Sequence, residues 1–156
     1  MPDRALLRHT VATLAYRAGK AIRNAPPSFA EYRTGEPPRT PAAILAHMGD
    51  LFDWALSLTT GKQAWHNSAP LAWDAECARF FAALSAFDAV LAGDAPLACS
   101  DAQLFQGPIA DALTHTGQLT MLRRLSGAPI KGENYFAADI VAGRVGAEQP
   151  VPKKEF

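Results

Sequence analysis

Asp111 and His115 stand four residues apart in FQGPIADALTHTGQLTMLRRLS, residues 105–126. Ile109, Ala112, Leu119, Leu122 and Leu125 recur there at helical spacing, so the pair lies on or beside a stripe that must be buried. A charge turned toward a core has to be neutralised, paired or bound to a metal ion. His47, in AAILAHMGDLFDWALSLTT, adjoins an apolar stripe in the same way, three residues after Ile44 and four before Leu51. If the helices carrying them face one another, two imidazoles and a carboxylate converge. That donor set suits Zn²⁺, Ni²⁺, Mn²⁺ or Fe²⁺, and three protein ligands leave positions open for water or substrate, as in a catalytic site. The same spacing also suits a buried Asp–His hydrogen bond that fixes a tautomer. His47 taken alone reads more readily as a hydrogen-bonded boundary histidine.

Other groups near these positions carry weaker signals. Gln118 is a candidate polar contact one turn beyond His115, in a catalytic role. Gly117 costs a helix about 1 kcal/mol against alanine, so a close helix approach or pocket space is expected there. Asp50 reads as a solvated charge or as an orienting carboxylate for His47. His9 points away from its helix's apolar stripe, and His66 falls in a turn-rich run; both are expected at the surface. Cys77 follows an aromatic stripe and reads as a small buried hydrophobe. GxSxG, GxGxxG and P-loop patterns are absent, so serine-triad, dinucleotide and nucleotide chemistry have no motif behind them.

The elements that must position these residues are four amphipathic helices. Leu7, Val11, Leu14, Ala18 and Ile22 mark the first, over roughly residues 4–24. Residues 25–40 hold four prolines and a glycine and form a long first connection, long enough for a crossover. Thr40 and Pro41 give an N-cap and first-turn pair for the second helix, which ends at Gly61. Residues 62–71 form a second connection, in which Trp65 is placed to plug one end of the core. Trp73, Phe80, Phe81, Leu84, Phe87 and Leu91 mark the third helix, stopped by Gly93. Pro108 fits the first turn of the fourth, which Gly127 and Pro129 close. Tyr135, Phe136, Ile140 and Val141 read as a short packing helix. Four such helices bury their stripes as an all-α four-helix bundle. One domain over residues 1–143 and a polar tail over 144–156 are expected.

Length and charge narrow the classes further. The chain has 156 residues, enough for one real core, and 15 basic side chains balance 15 acidic ones. No positive field or basic arm argues for nucleic acid. The opening MPDRALLRH lacks the apolar run of a signal peptide or membrane span. Two cysteines form neither a CxxC nor a disulfide framework, so a reducing cytoplasm is expected. The aromatic third helix leaves apolar surface for a partner, and a homodimer is expected.

Residues 5–127 resemble the DinB-like superfamily of metal-dependent four-helix bundles. The resemblance rests on ILAHMGDLFDWAL, on DALTHTGQLTMLRRLSG and on helix order with a long first connection. It implies one histidine ligand from the second helix, matched by His47, and a His-x-x-x-His pair from the fourth followed by Gly-Gln. His115, before Thr116-Gly117-Gln118, matches the second histidine of that pair; Asp111 stands in place of the first. His₂Asp shifts preference toward harder metals. The resemblance further implies thiol-dependent transfer or isomerisation with a metal-activated low-molecular-weight thiol. The leading expectation is a metal-dependent transferase, isomerase or hydrolase in which that thiol or water attacks a small electrophilic substrate. The competing expectation is a non-catalytic bundle, a small-ligand binder or dimeric structural protein.

Overall fold

A computed structural model describes residues 4–156 as an all-α bundle. Helix α1 is Ala5–Ile22, α2 is Pro41–Thr59 and α3 is Trp73–Ala92. The fourth helix, α4, is continuous over 101–125 but built in three parts. An opening turn, Asp101–Leu104, leads into a π-helical segment, Phe105–Ile109, and then into Ala110–Leu125.

Local chemistry explains these ends. Thr40 Oγ1 accepts from the Ala43 N–H at 3.1 Å, with Pro41 in the first turn of α2. The start of α4 corrects the expectation from sequence. It begins at a capping box in which Ser100 and Gln103 satisfy one another's backbone N–H groups. Pro108 therefore lies inside the helix, not in its first turn. A proline removes one N–H and crowds the preceding turn, and the wider π turn absorbs both effects.

Helix directions follow from which residues meet. Arg4, just before α1, donates to the carbonyls of Gly93 and Ala95 after α3, so these helices run antiparallel. Buried Arg123, near the end of α4, donates to Ala21 and Arg23 carbonyls, so α1 and α4 run parallel. Phe52 of α2 packs on Phe80 and Phe87 of α3, while the Ala98 N–H donates to the Thr59 carbonyl. Helices α2 and α3 therefore run side by side in the same direction, and the bundle is up-down-down-up. The long first connection, residues 23–40, joins α1 to the helix diagonally across the bundle, α2, since each of these packs mainly on α3 and α4. A second long crossing falls to residues 60–72, which must return along the whole of α2. Extended, that stretch reaches about 43 Å, against about 28 Å for the helix.

The core is the meeting of the four stripes: Leu14, Leu45, Met48, Phe52, Phe80, Leu84, Phe87 and Leu119 are all fully enclosed. The aromatic stripe of α3 is thus spent largely inside the chain. Beyond α4, the expected packing helix is a single 3₁₀ turn, Tyr135–Ala137, with Phe136 wholly exposed. Residues 144–156 then cross the surface, with Val145 buried and Glu155 forming an isolated bridge with Glu133. No described helix is long and apolar enough to cross a membrane.

Candidate metal centre

Helices α2 and α4 run antiparallel, which sets His47 opposite the turn between Asp111 and His115. One ligating atom from each of the three lies within 4.8 Å of the other two. The His47 and His115 rings stand 4.6 Å apart. His47 Nε2 is 3.3 Å from Asp111 Oδ2, and His115 Nδ1 is 3.4 Å from Asp111 Oδ1.

A hydrogen bond from His115 Nδ1–H to the Asp111 carbonyl, at 2.7 Å, orients that ring. It leaves Nε2 as the position with a free lone pair, as in a metal-ligating histidine held by an outer partner. Burial pushes the His115 imidazole below its ordinary range, against the opposing pull of the Asp111 carbonyl and carboxylate. His115 is therefore neutral at neutral pH, the form that ligates.

The donor set fits a divalent ion on two grounds. First, tetrahedral arms of about 2.0–2.1 Å put ligand atoms about 3.3 Å apart, and the His47–Asp111 separation already has that value. An N–H···O bond prefers shorter distances, about 2.9–3.0 Å. Second, the site is closed on one side only. The His115 side chain is 8% exposed and Asp111 43%, so the carboxylate edge leaves room for further ligands.

No protein-family model, curated protein or solved structure matches this chain. Its architecture is nonetheless an all-α four-helix bundle, consistent with the broad DinB-like plan, with a His/His/Asp cluster suited to metal coordination.

The surroundings hold groups whose places differ from those read in the sequence. The crossover climbs back along α2, and Trp65 stands edge-on to both His47 and Trp54, with ring centroids 5.5 and 5.8 Å away. Trp65 is thus a half-exposed wall beside the cluster, not a plug in the core. Asp50 is neither solvated nor an orienting group for His47. It is 2% exposed and accepts from the Ser68 N–H at 2.8 Å, from the Ser68 hydroxyl at 2.7 Å and from Arg79. Arg79 reaches it across Gly49, where an added Cβ would come within 2.8 Å of the guanidinium. The glycine between His47 and Asp50 thus makes room for a clamp on the crossover.

The remaining candidates fall outside the cluster. His9 and His66 are exposed. Cys77 is half-buried against the core, where burial raises its thiol to about 11. Gln118 shares the Asp111 side of α4 and is exposed, with no hydrogen bond to the trio. An added Cβ at Gly117 would meet nothing within 4 Å, which favours pocket space over close helix approach.

Proposed function

We propose that this chain is a divalent-metal protein with His47, Asp111 and His115 as ligands, and a metal-dependent enzyme of the DinB-like kind. The convergence of those three donors at a half-open edge carries the reading. When bound, a divalent ion of the Zn, Ni, Mn or Fe class supplies Lewis acidity, which acidifies a small thiol or water for attack on a small electrophile. His115 supplies a neutral donor held in one tautomer by the Asp111 carbonyl. Asp111 would bring the negative charge that offsets the ion. Trp65, backed by Trp54, covers one side of His47, and exposed Gln118, on the Asp111 side of α4, is the polar group offered to orient a substrate. A cytoplasmic location and a homodimer complete the proposal, its two-fold contact formed away from the buried α3 stripe.

Metal analysis paired with thermal melts, with and without chelator, tests it. The parent protein is expected to hold close to one divalent ion per chain and to melt lower in chelator. His115→Ala should remove most of the metal and Asp111→Ala should weaken binding. Asp111→His should preserve it, with selectivity moved toward zinc or nickel. His9→Ala and His66→Ala, both at exposed positions, should change nothing. Negligible metal and a chelator-insensitive melt would instead identify a polar cluster in a non-catalytic bundle.

A further inference from the structure

We propose a second ligand site on the opposite side of α4, a cleft that takes a small organic anion: a phosphate or carboxylate on an apolar body. At about 100° per residue, with Asp111 at zero, His115 lies at about 40°, but Leu113, Thr120 and Arg124 lie at about 200°, 180° and 220°. These last three line a cleft of about 560 Å³ between α4, α1 and residues 130–135. The metal ligands do not contribute to it.

Its charge is one-sided. Arg17, Arg124 and Lys131 line it, and among the described residues none of the three has a carboxylate within salt-bridge distance. The acidic lining residue, Glu133, is already engaged by the Tyr16 hydroxyl and by Lys20 at 2.7 Å. Glu155, which feels the Lys131 charge, is likewise held by Lys20, at 2.9 Å. Arg17 is set in place, its guanidinium 4.1 Å from the centre of the Tyr135 ring. Cations fixed by packing lose less freedom on meeting an anion than free ones do.

Its body is apolar. Leu113, Met121 and Ile130 supply the wall, and Gly117 leaves the floor open where a side chain would stand. Such a surface suits an aromatic or alkyl group, with the anionic head at the three cations.

Titration of the whole protein with phenyl phosphate, followed by amide NMR in the presence of chelator, tests this. Saturable shifts are expected at residues 113–124 and 130–135. Benzoate should move the same amides, and benzyl alcohol should bind much more weakly. Whichever anion binds more tightly fixes the head group. Arg124→Ala and Lys131→Ala, at exposed positions, should each weaken binding by about threefold to fivefold. Gly117→Leu should fill the floor and abolish binding while the melt is retained. The proposal is overturned if neither anion shifts those amides, if the neutral alcohol binds as well, or if Gly117→Leu leaves affinity unchanged.

Discussion

Asp50 follows His47 by three residues, which puts the two on neighbouring positions of one helix edge. Spacing alone pairs them; the structure separates them because Asp50 turns to the crossover and to α3. Burial by itself would raise its carboxyl, but the two Ser68 donors and Arg79 outweigh that and hold it below the ordinary 3.8. Since the folded form is the stronger acid, Asp50 contributes stability that is complete above that ordinary value. The contribution fades as pH falls through the depressed folded value. Asp50→Asn is expected to cost about 3 kcal/mol at pH 7, because Arg79 loses its buried partner. The deficit should shrink below about pH 4, as the unfolded chain's carboxyl takes up a proton that the native one still refuses. Urea unfolding of both proteins at pH 7 and pH 3, read on tryptophan emission, measures the difference; an equal deficit at both pH values would refute this role. The trio was readable from residue type and helical period. The clamp was not, because Ser68 and Arg79 reach Asp50 from a featureless loop and from another helix.

At the scale of elements, periodicity located the four helices but not the way they are wired. The proline-rich first connection looked suited to a crossover and does span the bundle diagonal, while the parallel pairing of α2 with α3 adds a second crossing at residues 60–72 that no stripe announced. Apolar stripes report which face is buried and carry no direction, so up-down-down-up topology was beyond their reach. The start of α4 was hidden for a related reason. Pro108 looked like a first-turn residue, while the Ser100–Gln103 box about two turns earlier in the chain had no apolar stripe to announce it. Gly117 belongs to the same helix and makes a clean test of whether its cost is structural or functional. Its added methyl meets nothing within 4 Å, so Gly117→Ala should stabilise the protein by about 0.5–1 kcal/mol. Metal content should not change, since the residue faces away from Asp111 and His115. A lower melting temperature in this variant would show a contact that the open space does not allow.

The whole molecule is closed by a contact between its two ends. Tyr16 and Lys20 of α1 donate to Glu133, Lys20 also reaches Glu155, and the Phe156 N–H donates to the Gly132 carbonyl. The four helices would pack without this, since the enclosed core residues lie almost entirely within them. What the contact positions is the wall of the anion cleft, through Lys131 and Tyr135. The Lys20 and Glu133 side chains are 8% and 0% exposed, so removing one leaves the other buried without its counter-charge. Glu133→Ala is therefore expected to cost about 3–5 kcal/mol. Replacing the whole group with apolar side chains, Tyr16→Phe, Lys20→Met and Glu133→Leu together, should recover most of that loss, because no charge or hydroxyl is then stranded. Hydrogen exchange separates the two halves of the prediction. In Glu133→Ala the amides of residues 129–156 should lose protection first, while those of α2 and α3 keep theirs. Equal loss across all four helices would mean that the end-to-end contact is part of the core's own cooperative unit, and the triple variant would then fail to restore it.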